Sequence, residues 1–401
     1  MPAVLSAGTI RLMQEFDLII VGGGLAGASL AVALRDSPLR LALVENQPPQ
    51  LPATDSLDRR IYAINPASAN FLAQIGAWKH LNLQRMARLD SMQIFGDAGG
   101  RLEFTAYEAG LDTLGWIVES SQIAGELWEI LKRQSNLTCF CPASPAALHL
   151  DESSAKLTLA DGLRLAARLI VAADGRDSWI RRHVGLKAAL TAYGEKGVVA
   201  NFSCELAHHH TARQWFRSDG VLAWLPLPEQ AISIVWSTPD AEADRLCALP
   251  ADEFAATVAA AGRQTLGKLE LLSQQAAFPL ALLRVPQSVA PRIALIGDAA
   301  HGIHPLSGHG INLGFADARE LSRLLGSAAA WQDIGALGFL ARYQRARREE
   351  TLLLQTATDG LHRLFHSRIP GADILRNFGL NATNALPIVK TALVRYACGL
   401  L

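Results

Sequence analysis

The chain has 401 residues, of which 50% are hydrophobic and 18% are charged. This length and composition indicate a folded protein of two or three structural units and exclude an intrinsically disordered one. The 37 basic residues equal the 37 acidic ones in number, so no nucleic-acid partner is expected. The sequence has no uninterrupted apolar run of about 20 residues and predicts no transmembrane helix. The five cysteines form no Cys-x-x-Cys pair, which is typical of reduced thiols in a cytoplasmic protein.

A strand–helix–strand pattern opens the chain. Asp17–Val21 is a short apolar, β-branched run that predicts a buried parallel strand. A helix is predicted over Ala28–Arg35 and a second strand over Leu39–Val44. This order is the βαβ unit from which parallel sheets are built.

The glycine motif Gly22-x-Gly24-x-x-Gly27 lies between the first strand and its helix. In this setting the first glycine permits a tight turn, the second lets the backbone approach a pyrophosphate, and the third lets helix and strand pack closely. Glu45 follows the second strand, where a carboxylate accepts hydrogen bonds from ribose hydroxyls. The motif therefore predicts a dinucleotide site, but NAD and FAD share it, so it does not choose between them.

The middle of the chain changes character from helical to β-rich. Two helices, a hairpin that turns at Asp161-Gly162, a group of short strands and a further helix are predicted. In chain order these elements are Ala67–Ile75, Ile123–Gln134, Lys156–Ala160 with Arg164–Ala172, Val198–Cys204, Gly220–Pro226, Ala231–Ser237 and Asp252–Ala261. The short strands indicate a second sheet of antiparallel type. Trp215, Trp224 and Trp236 fall on this sheet, either in its core or lining a substrate pocket.

A last buried strand is predicted over Arg292–Ile296, followed by helices over Gly314–Leu325 and Ile334–Leu354. The tail, Asn377–Leu401, has an amphipathic pattern with the basic residues Lys390 and Arg395, which are expected on its outer surface. We expect the first and last buried strands to share one sheet, with the β-rich region inserted between them. The first domain is then discontinuous in sequence.

A second glycine-rich loop follows the last buried strand. Asp298 lies at the strand end, where its carboxylate can accept a hydrogen bond from the hydroxyl of a ribityl chain. Gly310, Ile311 and Asn312 open the next helix, and their N–H groups favour negative charge on a bound ring. An ordinary loop before a helix is the alternative, and the N-terminal glycine motif argues against it.

These motifs resemble the FAD-dependent aromatic hydroxylases of the para-hydroxybenzoate hydroxylase class, and most closely its ubiquinone-biosynthesis hydroxylases. The resemblance covers the chain from about Asp17 to its end and is strongest over 297–314. Asp58-x-Arg60-x-x-Ala63-Ile64 and Asp174-Gly175 also match. The family usually carries Gln where this chain has His309.

The resemblance implies an α/β fold. It consists of a discontinuous Rossmann-like FAD-binding domain, an inserted β-rich substrate domain and a C-terminal helical segment. The expected borders are 16–78, 116–182 and 285–350 for the FAD-binding domain, 79–115 and 183–284 for the substrate domain, and 351–401 for the helical segment.

The resemblance also implies a monooxygenase. In this family NAD(P)H reduces FAD, and O₂ supplies the oxygen atom that enters an aromatic ring. The implied substrate is a prenylated phenol of ubiquinone biosynthesis. The implied catalytic residues are Arg60, His304 and Pro305. The implied cofactor-binding residues are Gly22, Gly24, Leu25, Ala26, Gly27, Glu45, Arg60, Ser120, Asp174, Asp298, Gly308, Gly310, Ile311 and Asn312.

No metal site is expected, since contiguous histidines such as His208-His209-His210 cannot all face one ion. A prenyl tail implies a wide apolar opening, contact with a membrane surface and association with a quinone-biosynthesis complex. The expected location is the cytoplasm, peripheral to the inner membrane. Two alternatives stay open: a flavin-dependent reductase on the same fold, and a non-catalytic flavin-binding accessory protein.

Overall fold

The computed structural model describes residues 13–50, 57–304, 308–366 and 372–400. Within these residues the strands, in chain order, are β1 (Gln14–Val21), β2 (Leu41–Val44), β3 (Ile61–Ile64), β4 (Ala87–Leu89), β5 (Ser91–Phe95), β6 (Arg101–Thr105), β7 (Gly115–Glu119), β8 (Leu137–Phe140), β9 (Pro145–Leu150), β10 (Ala155–Leu159), β11 (Arg164–Ala172), β12 (Ala189–Cys204), β13 (Thr211–Arg217), β14 (Gly220–Leu227), β15 (Ala231–Pro239), β16 (Leu269–Leu271), β17 (Ala276–Arg284), β18 (Val289–Ala290), β19 (Ile293–Leu295) and β20 (His301–Gly302). The helices are α1 (Leu25–Ala33), α2 (Pro66–Gln74), α3 (Ala106–Ala109), α4 (Ser120–Leu131), α5 (Trp179–His183), α6 (Asp240–Ala248), α7 (Ala251–Ala261), α8 (Gly310–Gly326), α9 (Leu337–His366), α10 (Ala372–Asn384) and α11 (Pro387–Ala397).

The first sheet has the order β18-β19-β11-β1-β2-β8, and the run from β19 to β8 is parallel. The predicted hairpin of β10 and β11 is confirmed, and β9 extends it. Alternate residues of β1 serve two cores: Leu18 and Ile20 pack with helices α1, α4 and α8, whereas Ile19 and Val21 pack with β10 and α5. Because β19 lies beside β11 in this sheet, the expected discontinuous Rossmann-like domain is confirmed.

The second sheet has the order β20-β17-β12-β15-β14-β13-β5-β6, with β16 beside β12. The sequence analysis predicted only three of these strands, since the others are short or lack a clear alternation of polar and apolar residues. One face of the sheet packs against α6 and α7, and Trp215, Trp224 and Trp236 are buried in that core. The tryptophans are therefore core residues, so the alternative that they line a pocket is wrong. A third, small sheet has the order β3-β7-β4.

Several helix bounds differ from the sequence-based ones. Helix α1 begins at Leu25 and α8 at Gly310, each earlier than predicted, because glycine-rich turns lead directly into both helices. Helix α9 continues to His366, well beyond the predicted end. The tail forms α10 and α11, so the expected C-terminal helical segment is confirmed. The exact domain borders stay a prediction.

Candidate flavin and substrate site

The glycine loop between β1 and α1 has the backbone that its motif predicts. Gly22 has a φ of +106°, and a Cβ there would lie 2.2 Å from the carbonyl oxygen of Ala173. A Cβ on Gly27 would lie 2.0 Å from the carbonyl oxygen of Gly22. These two positions therefore require glycine for packing within the protein. A Cβ on Gly24 would meet nothing within 4 Å, so Gly24 borders open space.

The N-terminus of α1 offers its backbone donors to that open space. The first N–H groups of a helix have no partner within the helix, and here they belong to Leu25, Ala26 and Gly27. The first turn contains no acidic side chain that would compete with an anion. Glu45 lies beside this loop, and its carboxylate accepts from the N–H groups of Gly23 and Gln47. The donor set fits the pyrophosphate of a dinucleotide.

The different roles of Gly24 and Gly27 can be tested by a pair of alanine variants. We expect Gly24→Ala to leave the Tm of the apoprotein unchanged but to weaken FAD binding, because its methyl group enters the open space. Gly27→Ala should lower the Tm of the apoprotein, because its methyl group overlaps the backbone of Gly22. Thermal denaturation and FAD titration measure the two effects. Equal effects of both variants on Tm would contradict these roles.

Asp298 lies in the turn that follows β19, with its carboxylate open to solvent. Enclosure by the surrounding protein raises the pKa of this carboxyl, and the positive charges of His301, Arg176 and Arg60 oppose the rise. Burial also raises the pKa of the Tyr62 phenol, and the charge of Asp298 adds to it. The structure thus brings Arg60 and Asp298 within electrostatic reach of each other, together with Tyr62 and Arg176. No motif in the sequence pointed to Tyr62 or Arg176 as part of this site.

Asn312 connects β3 to the start of α8. Its Oδ1 accepts from the N–H of Asn65 at 3.0 Å, and its Nδ2 donates to the carbonyl oxygen of Ala63 at 2.8 Å. The side chain is therefore used within the protein, whereas the N–H groups of Gly310, Ile311 and Asn312 are the first of α8 and have no partner within the helix. Gly308 has a φ of +63° and packs near Ala63.

Ser120 lies where β7 meets α4, opposite Arg60. Its N–H donates to the carbonyl oxygen of Arg60 at 2.8 Å, and its hydroxyl opposes the rise in the pKa of the nearby Tyr62 phenol. Ser120 is thus close to the Arg60 and Asp298 pair through Tyr62.

Asp174 is held by its own neighbours. Its Oδ2 accepts from the N–H groups of Trp179 and Ile180 at 2.7 and 3.1 Å. The carboxylate therefore caps α5, although its backbone lies against Gly22. Its Oδ1 is buried with no hydrogen-bond partner among the described residues. The structure supports a role for Asp174 in shaping the glycine loop, and cofactor contact stays a prediction.

The two glycine-rich loops meet at Ala26. The methyl group of Ala26 lies 3.1 Å from the position a Cβ would take on Gly297, and 3.4 Å from that on Gly314. The N-termini of α1 and α8 therefore lie side by side on one face of the parallel sheet. The dinucleotide loop and the Asp298 loop are thus neighbours, although about 270 residues separate them in the chain.

A buried network fixes the Asp298 loop. Asp317 of α8 accepts from the N–H of Gly297 at 2.9 Å and from Nε2 of His301 at 2.6 Å through Oδ2. Its Oδ1 accepts from Nε of Arg347 at 2.8 Å. Burial disfavours the charge on Asp317, but His301 and Arg347 outweigh it and lower the pKa of this carboxyl. The carboxylate is therefore ionised and holds the loop to α8.

His304 is fully buried and contacts Tyr193, Glu195 and His362. In this arrangement its imidazole presents no surface to a substrate, so its catalytic role stays a prediction. Pro305, the other residue predicted from this loop, lies outside the described residues.

The second sheet presents a partly exposed apolar patch on the face opposite its tryptophans. This patch, which we call the apolar floor, consists of Val199, Ala223, Leu225 and Val235 on the central strands β12, β14 and β15. Leu225 packs with Ile61 and Ala63 of β3. The floor therefore adjoins the same strand that contacts the start of α8. Apolar side chains at the centre of a sheet stay partly exposed where they line a cleft.

The residues present fit an FAD molecule. Open space borders Gly24, two helix N-termini supply unpaired N–H donors, and Asp298 supplies a solvent-facing acceptor between them. The sequence gives little signal for the apolar floor, because its residues come from three strands and polar residues such as Asn201 and Ser233 lie beside them on the same face.

The chain matches the model of one protein family, described as an FAD binding domain, over residues 15–352. It is 33% identical over 386 residues to the ubiquinone hydroxylase UbiL of Rhodospirillum rubrum, covering 96% of this chain and 90% of that protein. It is 31% identical over 389 residues to the 3-demethoxyubiquinol 3-hydroxylase of Escherichia coli, covering 96% of this chain and 99% of that protein.

Solved structures show the same fold. The crystal structure of PqsL, described as a probable FAD-dependent monooxygenase from Pseudomonas aeruginosa, superimposes with a TM-score of 0.74 at 21% identity, covering 91% of this chain and all of that one. The p-nitrophenol 4-monooxygenase PnpA of Pseudomonas putida gives a TM-score of 0.75 at 16% identity, covering 95% of this chain and 97% of that one.

Proposed function

The chain belongs to the FAD-binding-domain family of FAD-dependent monooxygenases, with ubiquinone hydroxylases among its relatives, and from this premise we propose that it hydroxylates a prenylated phenol of ubiquinone biosynthesis. NAD(P)H is the co-substrate. Bound FAD, once reduced, supplies the activation of O₂.

One observation carries the proposal: the N-terminus of α8 and Asp298 adjoin the apolar floor of the second sheet through β3. A flavin held by the first two features would have its ring beside the floor, where an aromatic substrate would lie. The floor is apolar, so it suits an aromatic ring with a hydrocarbon tail and excludes water from the reacting atoms.

The residues of this chain have separate tasks in this proposal. The N–H groups of Leu25, Ala26 and Gly27 bind the pyrophosphate, and Asp298 accepts from the ribityl chain. The N–H groups of Gly310, Ile311 and Asn312 stabilise negative charge on the flavin ring system. Arg60 adds positive charge beside Asp298. These contacts hold the flavin so that the substrate ring can lie against the reactive face of the flavin ring.

The decisive experiment follows the oxygen atom. We expect the purified protein to oxidise one NAD(P)H for each prenylated phenol hydroxylated, and to insert one ¹⁸O atom when the reaction runs under ¹⁸O₂. Mass spectrometry of the product measures the label. NAD(P)H oxidation without label would favour a reductase. FAD binding without any turnover would favour an accessory protein.

The tail of the substrate provides a further test. Shortening the prenyl chain should raise KM steeply and leave hydroxylation of the ring possible, because burial of apolar surface contributes about 25 cal/mol per Å². A ubiquinone-hydroxylase deletion strain that carries this chain should regain quinone. Good turnover of a small phenolic acid, together with failure to restore quinone, would contradict the prenylated substrate.

We propose contact with the membrane surface through α10 and α11, which places the protein in the cytoplasm beside the inner membrane. None of the helices in the described ranges is long and apolar enough to cross a bilayer. Phe378 and Ile388 are nevertheless 68% and 85% exposed. The predicted contribution of Lys390 is corrected, because this side chain is buried and its Nζ donates to Glu108 at 2.9 Å. Arg395 is exposed and available to lipid phosphates.

Vesicle sedimentation tests the membrane contact. We expect the protein to sediment with vesicles that contain anionic lipid, and Phe378→Ser with Ile388→Ser to reduce the bound fraction without loss of FAD. Leu83→Ser is the matched control, since Leu83 is also exposed but lies outside the C-terminal helices. If the double variant binds vesicles normally but loses co-purifying quinone-biosynthesis proteins, the surface serves a protein complex instead.

A further inference from the structure

Three buried side chains converge from three separate elements. Glu195 comes from β12, His304 from the loop after β20, and His362 from α9. Their exposed fractions are 5%, 0% and 8%, respectively. Charged and imidazole groups are rarely buried to this extent unless they are paired or bind a metal ion.

Strand β12 carries a local irregularity directly before Glu195. The pairing of β12 with β17 shifts register between Ala192 and Lys196, whereas its pairing with β15 is regular from Glu195 onward. Gly194 within the break has a φ of +70°, a conformation that favours glycine. β-Bulges of this kind occur often beside functional sites. The buried carboxylate of Glu195 therefore lies at a specific irregularity of the sheet.

The distances within the cluster suit ligands of one ion. Nε2 of His362 lies 3.0 Å from Oε1 of Glu195, and Nε2 of His304 lies 3.6 Å from Oε2. A ligand atom from each residue lies within 4.8 Å of the others. A separation of 3.6 Å is too long for a hydrogen bond. Two ligand atoms that each lie about 2.0–2.2 Å from one metal ion are roughly 3–3.5 Å apart.

Glu195 is the carboxylate that contacts both imidazoles of the cluster. The ring of Tyr193 packs against both imidazoles, with centroids 4.9 Å from His304 and 4.4 Å from His362. Beyond Tyr193, the carboxylate of Asp359 pairs with Arg284 and Arg363. The negative charge of Asp359 therefore partly neutralises the positive charges of Arg284 and Arg363.

We propose that Glu195, His304 and His362 bind a divalent transition-metal ion. Two imidazoles and one carboxylate are a ligand set that suits Zn²⁺, Fe²⁺ or Co²⁺, and three protein ligands leave a position for water. The ion joins the substrate-domain sheet, the loop that leads to α8, and α9. In this arrangement His304 is a metal ligand. It influences the flavin loop by fixing the position of that loop. The proposal does not depend on the identity of the substrate.

Metal content and cobalt binding test the site directly. The full-length, untagged, FAD-loaded protein is purified without chelators and its metals are counted by elemental mass spectrometry. We expect about one zinc or iron per chain, or uptake of one Co²⁺ per chain after chelation, with the visible absorption of Co²⁺ bound to nitrogen ligands. Glu195→Gln and His362→Asn should each weaken Co²⁺ binding at least tenfold. His209→Asn is the matched control, because His209 is exposed on a turn, and it should bind normally.

Clear results would overturn the proposal. One is a wild-type protein that contains no stoichiometric metal and takes up no Co²⁺ at micromolar concentration. Another is equal Co²⁺ affinity in the wild type and both variants. Circular dichroism and FAD content establish that the variants fold. If they do not, X-ray absorption of the Co²⁺-loaded wild type decides: two imidazole ligands support the site, and an oxygen-only shell overturns it.

Discussion

Asp317→Asn is expected to lower the free energy of unfolding by about 3–5 kcal/mol, because it removes the anion of buried His301 and one of the two carboxylates that pair with buried Arg347, the other being Glu350. Arg347 and His301 both bind the carboxylate of Asp317, and all three side chains are buried. The variant should also loosen the Asp298 loop, since the N–H of Gly297 donates to the same carboxylate. We therefore expect weaker FAD binding as a secondary effect.

The pH dependence of this network follows from its two pKa shifts. The pKa of Asp317 is lowered, so its contribution to stability is present above its ordinary pKa of about 4 and is lost as the pH falls through the lowered value. Burial opposes the charge on His301, but Asp317 outweighs it and raises the pKa of His301. That contribution is complete below about pH 6.5 and is lost as the pH rises through the raised value. Both contributions are present between about pH 4 and 6.5.

Urea denaturation of the apoprotein from pH 4 to 9 measures these effects. The wild type should be stabilised relative to Asp317→Asn throughout, with the largest difference in the lower part of this range. Asp36→Asn is the control, because Asp36 is exposed and pairs with the neighbouring Arg35. Its effect should stay within about 0.5 kcal/mol. A similarly small effect of Asp317→Asn would show that the network does not stabilise the fold.

Asp298→Ala is expected to weaken FAD binding about tenfold to a hundredfold, which corresponds to the loss of one charge-assisted acceptor of about 1.5–3 kcal/mol. Asp298 is exposed and lies in the turn that follows β19. Its removal should therefore leave the stability of the apoprotein nearly unchanged. Asp298→Ala should therefore change FAD binding without changing stability, whereas Asp317→Asn should change both.

Fluorescence titration of FAD against the apoprotein measures this affinity. Asp177→Ala is a suitable control, since Asp177 is an exposed carboxylate in the neighbouring loop after β11. We expect its FAD affinity to match that of the wild type. Unchanged affinity in Asp298→Ala would contradict the assignment of the second glycine-rich loop to the ribityl chain.

Local patterns predicted the elements that bind the dinucleotide. The apolar run of β1 and the spacing of Gly22, Gly24 and Gly27 act within about ten residues, so the backbone conformation follows from nearby chain geometry. Asp298 was identified in the same way, as an acidic residue at the end of a buried strand. The family resemblance then indicated FAD and hydroxylation, which the comparisons bear out.

Such local patterns could not predict contacts between distant segments of the chain. Lys390 was expected on a basic outer surface, but it is buried against Glu108. The sequence placed Trp224 and Trp236 on the second sheet, but it did not decide whether they pack on helices or line a pocket. Only the position of α6 and α7 decided this.

The sequence by itself determined the class of cofactor, the parallel sheet and the two glycine-rich loops, because each depends on short-range backbone geometry and hydrophobic periodicity. The tertiary structure alone decided that Glu195 meets His304 and His362, and that Asp317 holds the Asp298 loop to Arg347. The physical reason is that a buried polar group requires a partner but does not specify where in the chain that partner lies. Glu195 and His362 are 167 residues apart, and only the packing of β12 against α9 brings them together.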